Sequence, residues 1–179
     1  MDDHFQKIDF FMKTNAFAHD MPNFMVLVYL DPIRAMPSDP WCHKKKLEDF
    51  YNQNNISYKL FNFEENILKF ISNANLCITR AGASTLSELT YLNIPYLAIP
   101  YPSAKDNHQF QNALFYKKKN CCWILKQDDL NEDVLENNLI NIVQNKDDYL
   151  SKKISMRNFS YKNTWNNTNQ KLINVINEN

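Results

Sequence analysis

Glycine is almost absent from this chain: Gly82 is the only one in 179 residues. A single glycine excludes any second glycine-dependent loop, and it is a far weaker signal than a full glycine-rich fingerprint. It lies in the segment 78–85 (ITRAGAST), directly between an apolar run and an amphipathic run. Because glycine permits positive φ and lets a ligand approach the backbone, we expect the tightest turn of the fold, and a binding loop, at this point.

An excess of charge of either sign is also lacking. Lys plus Arg and Asp plus Glu both number 20, so the formal net charge is zero. This balance gives no overall basic field, and we predict no nucleic-acid partner. The lysine runs at 44–46 and 117–119 are expected to be solvated helix faces, with weak contact to a membrane surface as the alternative.

Long apolar runs are missing as well. Residues 1–20 contain acids and no apolar segment of the kind found in signal peptides. No stretch reaches the roughly 18 apolar residues that span a bilayer. We therefore expect a soluble, cytoplasmic protein that is at most peripheral at the inner face of the cell membrane.

Paired cysteine motifs do not occur. The four cysteines show neither a C-x-x-C pair nor the framework of a secreted protein, and they are Cys42, Cys77, Cys121 and Cys122. We expect buried free thiols, no metal site and no cofactor.

An alternation of strands and helices begins at about residue 44. Predicted helices lie near 44–54, 65–73, 84–92, 107–118, 131–144 and 147–157. Predicted strands lie near 57–61, 76–79, 96–99 and 121–125, and the apolar run at 24–30 is a further candidate. This order is typical of an α/β fold: a Rossmann-like parallel sheet with helices on both faces. We expect residues 1–43 to form an atypical segment, partly strand, and residues 44–179 to form one domain.

Ligands of such sheets bind beyond the carboxyl ends of the strands, where loops lead into helices. Three loops fall there: 62–64, 80–85 and 100–109. In the second loop, Ser84 and Thr85 can cap a helix whose free N–H groups suit a phosphate. Glu88 follows in the same helix and could accept the two hydroxyls of a ribose.

Each of these residues also has a purely structural interpretation. Gly82 could be a simple turn glycine, and Glu88 a first-turn acid stabilised by the helix dipole. His108, in the third loop, could be a surface or capping histidine. Composition and spacing alone do not decide between these alternatives.

The run from Ile78 to Leu125, ITRAGASTLSELTYLNIPYLAIPYPSAKDNHQFQNALFYKKKNCCWIL, closely resembles the carboxyl-terminal, donor-binding half of glycosyltransferase family 28. The motifs R-x-G-A-S-T-x-x-E-L, I-P-Y-P and D-N-H-Q-x-x-N-A occur in family order, and the likeness covers about residues 44–179. The resemblance implies the C-terminal half of a GT-B glycosyltransferase. It also implies a metal-independent, inverting transfer of GlcNAc from UDP-GlcNAc to lipid I, which forms lipid II in peptidoglycan synthesis.

The resemblance further implies a role for each residue of the donor site. The backbone near Glu64 would meet the uracil, and Gly82 would belong to the same UDP-GlcNAc-binding site. Glu88 would take the ribose hydroxyls. The pyrophosphate would lie on Ala83, Ser84 and Thr85, the GlcNAc hydroxyls on His108 and Gln109, and the edge of the pocket on Arg80 and Asn112.

Two departures from the family limit this inference. The family's G-G-S-Q-G-A loop cannot lie in residues 1–43, because Gly82 is the only glycine. The amino-terminal half, with its G-x-G-G-H loop and presumed base histidine, is also not found, and His4 and His19 do not match that motif. We therefore expect no catalytic residue here, and a separate amino-terminal half and lipid I as partners. The alternative is a non-catalytic sugar-nucleotide-binding relic or one subunit of a split GlcNAc transferase.

Overall fold

The computed structural model describes residues 26–29, 49, 52–53 and 71–177. In these residues the sheet has four parallel strands in the order β1-β2-β3-β4. They are β1 (Val26–Tyr29), β2 (Leu76–Thr79), β3 (Tyr96–Ala98) and β4 (Cys122–Ile124). These strands confirm the predictions near 24–30, 76–79, 96–99 and 121–125. The predicted strand at 57–61 and the predicted helices at 44–54 and 65–73 lie wholly or mostly outside the described residues.

Five α-helices occur in the described residues. They are α1 (Ala83–Tyr91), α2 (His108–Lys118), α3 (Glu132–Gln144), α4 (Lys146–Lys162) and α5 (Trp165–Asn177). Short 3-10 turns at Lys105–Asn107 and Gln127–Asp129 precede α2 and α3. Helix α4 runs five residues beyond its predicted end at 157, because Phe159 extends the apolar side begun by Met156. Helix α5 was not predicted.

Alternate residues of each central strand face opposite sides of the sheet. Cys77, Tyr96 and Ala98 pack with residues of α1, α2 and α4, including Leu86, Ala113 and Met156. Leu76, Ile78 and Leu97 pack with residues of α3, including Leu135 and Leu139. Because both faces are covered, β2 is buried at all four positions, and three apolar residues in a row are followed by the buried Thr79. The predicted helices on both faces are confirmed.

Asparagine takes the positions where helices usually end in glycine. Asn93 follows α1 with φ 60° and Asn120 follows α2 with φ 56°. Asparagine tolerates the left-handed region better than most residues, and glycine is the usual occupant of this position. The chain can thus end these two helices sharply, although its single glycine, Gly82, lies at another position.

A polar network joins α4 to the edge strand β4. The Lys152 ammonium group lies 3.0 Å from both Asp148 Oδ1 and Asn120 Oδ1, and 4.7 Å from the centre of the Trp123 ring. The Trp123 indole N–H donates to Asp148 Oδ2 at 2.7 Å. Burial by itself would raise the pKa of Asp148, but the hydrogen bonds from Trp123 and Lys152 outweigh it and lower that pKa. This network satisfies the nearly buried Lys152, and it anchors α4 to the sheet.

Cys77, Cys121 and Cys122 are buried and form no disulfide among the described residues, as expected, whereas Cys42 lies outside those residues. Burial raises the pKa of Cys121 to about 11 and that of Cys122 to about 12. Both groups therefore remain thiols, with low nucleophilicity, at neutral pH. Within residues 26–29, 49, 52–53 and 71–177, no helix is long and apolar enough to cross a membrane.

Candidate functional site

The candidate site lies at the carboxyl edge of the sheet, where β2, β3 and β4 end. The chain leaves β2 through Arg80, Ala81 and Gly82 and enters α1. It leaves β3 through residues 99–107 before α2, and it leaves β4 through residues 125–131 before α3. Parallel strands bring these three loops to one edge. The site therefore combines residues that are far apart in the sequence.

Helix α1 begins without a side-chain cap. Gly82 is the N-cap residue, and no side chain accepts a hydrogen bond from the first turn. Ser84 and Thr85 were expected to cap the helix, but they lie inside its first turn, so that expectation was wrong. In the described part of the chain, no acceptor binds the backbone N–H groups of residues 83–85. Three donors and the positive end of the helix dipole are left open, an arrangement that suits an anion.

Gly82 does not adopt the conformation that its identity suggested. Its φ is −65° and its ψ is 137°, an extended conformation open to any residue. The expectation of a turn that requires positive φ was therefore wrong. What glycine still provides here is the missing Cβ, which lets a ligand approach the N-terminus of α1.

Arg80 connects the three loops of the edge. One guanidinium nitrogen, Nη1, donates to Gln127 Oε1 at 2.6 Å and to the Ile99 carbonyl at 3.2 Å. The guanidinium carbon lies 5.6 Å from the centre of the Tyr101 ring. Burial lowers the pKa of Arg80, although the neighbouring Tyr101 opposes this shift, and an arginine stays charged at neutral pH. None of the described carboxylates pairs with this charge, so it remains available to an anionic ligand.

Gln109 and Asn112, in the first two turns of α2, both bind the backbone of Ala81 in the loop between β2 and α1. The Ala81 N–H donates to Gln109 Oε1 at 3.3 Å, and Asn112 Nδ2 donates to the Ala81 carbonyl at 3.1 Å. The same Gln109 oxygen accepts the Tyr101 N–H at 2.9 Å. The structure thus brings these two predicted site residues together with Arg80 and the start of α1.

His108 is exposed and lies in the first turn of α2. Its Nδ1 lies 2.7 Å from the Lys105 carbonyl. Because a carbonyl can only accept, this contact requires Nδ1 to carry the hydrogen, and in the neutral ring Nε2 is then an acceptor. The structure therefore shows the capping contact that was the structural alternative, and it leaves the second nitrogen open to a ligand hydroxyl.

Glu88 is exposed on the second turn of α1. The first turn of this helix contains no acidic residue. A carboxylate interacts favourably with the helix dipole mainly within the first turn. The helix-dipole interpretation of Glu88 is thus weaker than the sequence suggested.

Two residues at this edge were not predicted, and one predicted residue is not described. Gln127 and Tyr101 both contact Arg80. Gln127 lies in the loop after β4, so the expectation that ligands bind beyond the carboxyl ends of the strands would have included it had that loop been considered. Glu64 lies outside the described residues. Among the residues that the structure describes, no group of three or more His, Cys, Asp or Glu side chains is placed to hold a metal ion.

Comparison of the sequence with known families gives one match across most of the chain. Residues 40–166 match the Glycosyltransferase family 28 C-terminal domain. The chain belongs to glycosyltransferase family 28. This confirms the resemblance seen in segment 78–125 and the assignment to the family's C-terminal domain.

Curated relatives of this family 28 chain share one name, UDP-N-acetylglucosamine--N-acetylmuramyl-(pentapeptide) pyrophosphoryl-undecaprenol N-acetylglucosamine transferase. The protein of Pelagibacter ubique (strain HTCC1062) is 53% identical over 135 residues, which are 75% of this chain and 38% of the relative. The protein of Rickettsia bellii (strain RML369-C) is 41% identical over 100 residues, which are 56% of this chain and 28% of the relative. The matched regions thus span well under half the length of these relatives.

The crystal structure of Acinetobacter baumannii MurG has the same fold. The match has a TM-score of 0.67 at 20% identity and covers 90% of this chain and 54% of that chain. At this identity the likeness concerns the fold alone. It confirms the expected α/β fold, the C-terminal half of a GT-B glycosyltransferase.

Proposed function

We propose that this chain binds UDP-GlcNAc at the carboxyl edge of its sheet and supplies the donor-binding domain of a family 28 hexosyltransferase. The relatives are named as transferases of N-acetylglucosamine to N-acetylmuramyl-(pentapeptide) pyrophosphoryl-undecaprenol. We extend that reaction, the conversion of lipid I to lipid II in peptidoglycan synthesis, to the enzyme in which this domain acts. An amino-terminal glycosyltransferase half and lipid I at the inner face of the cell membrane are the proposed partners.

The observation that carries the proposal is the open start of α1 beside Arg80. A nucleotide diphosphate presents several anionic oxygens, and the first turn of α1 presents three unpaired N–H donors. Arg80 adds a positive charge whose described hydrogen-bond partners, the Ile99 carbonyl and the Gln127 amide oxygen, are both neutral. Arginine binds phosphate oxygens well, because its planar fork of donors matches their geometry.

The remaining contacts follow from the positions around this anion site. Glu88 lies one turn further along α1, where an exposed carboxylate can accept ribose hydroxyls. His108 Nε2 can accept a hydroxyl of the sugar, since Nδ1 is held by Lys105. We also propose the uracil contact near Glu64 and the domain boundary at residue 44. Strand β1 lies before that boundary and pairs with β2, so residues 26–29 add a strand to the sheet of this domain.

Titration calorimetry with UDP and UDP-GlcNAc tests the proposal on the purified chain. We expect weak but saturable binding, with a Kd between about 1 μM and 1 mM, or about −8 to −4 kcal/mol. Arg80→Gln should weaken binding at least about tenfold, because a charge-assisted contact contributes about 1.5–3 kcal/mol. Lys118→Gln, at an exposed position near the other end of α2, is the matched loss of charge and should change nothing. The absence of heat at millimolar UDP would contradict the nucleotide site.

A further inference from the structure

We propose that Gln109 and Asn112 are positioning residues that bind the N–H and the C=O of Ala81 and thereby fix the direction in which α1 presents its open N-terminus. The inference deepens the proposed function, since the diphosphate is the ligand that this helix end would bind. It gives Gln109 a role in holding the loops, in addition to the contact with the sugar hydroxyls that the resemblance implies.

The start of α1 needs such a support. Only Arg80, Ala81 and Gly82 connect β2 to α1, and the N-cap Gly82 has no side chain that could fix the entry of the helix. The usual device, a capping side chain bound to a first-turn N–H, is not used here. A helix end that binds an anion must nevertheless point in one direction, because its donors act only in line with the ligand.

The two side chains on α2 provide this support from outside the loop. The donor and the acceptor of Ala81 are both bound, one by each amide, at 3.3 Å and 3.1 Å. Ala81 is fully buried, so either group would be costly to leave unpaired. These two bonds fix the peptide groups on either side of the Ala81 Cα and so restrict the φ and ψ of Ala81, and Gly82 is the next residue along the chain.

The chemistry of the amide groups fixes how Gln109 is used. The partners of its oxygen are two backbone N–H groups, from Ala81 and Tyr101, so only the oxygen can face them. Both lone pairs of that oxygen are thereby occupied, and only the Nε2 group remains for a ligand. One atom therefore ties the loop after β2 to the loop after β3, and Gln109 can only donate to a sugar nucleotide.

The experiment compares Gln109→Ala and Asn112→Ala with Gln111→Ala in the full 179-residue chain. Gln111 is exposed on the same helix and takes part in none of these contacts. The first readout is the ratio of the Kd values for UMP and UDP, measured well below the melting temperature. We expect wild type and Gln111→Ala to prefer UDP. Each of the other two variants should reduce that preference about five- to tenfold, because misaligned N–H donors lose the second phosphate first.

A purely structural role would lower the melting temperature and leave the UMP to UDP ratio unchanged, and that result would overturn the proposal. The second readout is hydrogen exchange at the Ala81 and Tyr101 amides, which should become faster in Gln109→Ala. Gln109→Glu, which keeps an acceptor oxygen at the same reach, should restore slow exchange. If wild type binds neither nucleotide, the proposed function fails by itself. The exchange rates then test the Ala81 contacts separately, and unchanged rates in Gln109→Ala overturn them.

Discussion

Glu88 is the only acidic residue of α1, and its proposed partner is the ribose of the nucleotide. Replacing it by Gln removes the charge and keeps the size of the side chain. We expect UDP affinity to fall about tenfold or more, because hydrogen bonds to charged groups contribute about 1.5–3 kcal/mol. The melting temperature should be little changed, since Glu88 lies beyond the first turn, where the helix dipole acts.

Glu136→Gln is the matched control for this experiment. Glu136 lies on α3, whose apolar residues pack against the opposite face of the sheet, at a similar distance from the start of its helix. The Glu136→Gln substitution should leave the Kd for UDP unchanged. A melting temperature that falls in Glu88→Gln while the UDP Kd stays the same would show that Glu88 has a structural role only.

Single residues also show where inference from the sequence stops. Arg80, Gln109 and Asn112 could be placed at one edge because parallel strands carry their carboxyl ends there. Their actual partners are the backbone of Ala81 and the side chain of Gln127. These contacts join residues that are 28 to 47 positions apart in the sequence, so they depend on how closely the loops approach one another. Local patterns do not encode such distances. The φ of Gly82 could not be predicted either, because glycine occupies extended and left-handed regions equally well.

At the scale of helices and strands, the ends of α1 and α2 depend on asparagine in the left-handed region. Asn93 has φ 60°, and its side-chain Oδ1 is buried without a hydrogen-bond partner among the described groups. Asn93→Gly should therefore stabilise the chain by about 0.5–1 kcal/mol, because it removes both the steric cost and the unpaired oxygen. Chemical denaturation, followed by circular dichroism, measures this change.

Asn93→Ala separates the steric cost of the left-handed conformation from the cost of the unpaired side-chain oxygen. It also removes the buried oxygen, but alanine pays the steric cost of the left-handed region, about 1–2 kcal/mol for an ordinary residue. We expect this variant to be less stable than Asn93→Gly by about 1 kcal/mol. Equal stabilities would mean that the backbone at this helix end relaxes, and that φ does not control it.

Most strands and helices that were predicted correctly have a hydrophobic pattern that fits one type of secondary structure better than the other. Strand β2 begins with three apolar residues, Leu76, Cys77 and Ile78, and each of these is buried on one face of the sheet or the other. Helix α5 also has its apolar residues at helical spacing, the clearest amphipathic pattern of the five described helices, although Ile173 and Ile176 are exposed. The periodicity of residues 165–177 is therefore a signal that could have predicted this helix.

At the scale of the whole molecule, binding of the donor and transfer of the sugar are separable steps. The carboxyl edge contains the open N-terminus of α1, a carboxylate and a histidine, and these groups suit the recognition of a sugar nucleotide. Transfer also requires a base within hydrogen-bond reach of the acceptor hydroxyl. The resemblance assigns that base to an amino-terminal half, and the match to the Pelagibacter relative covers 38% of that protein's length.

We therefore predict that the 179-residue chain alone binds UDP-GlcNAc but does not transfer GlcNAc to lipid I or a short-chain analogue. The base cannot be supplied by His108 Nδ1, because that nitrogen is bound to the Lys105 carbonyl, and His108 Nε2 is assigned to the donor sugar. The assay follows radiolabelled GlcNAc into the lipid fraction, with the full-length Pelagibacter relative as positive control. Addition of an amino-terminal half from that relative should restore turnover, if the two halves associate without a covalent linker. Label in the lipid fraction with the chain alone would refute the prediction, and would show that residues 1–43 or a second copy of the chain provide the acceptor side.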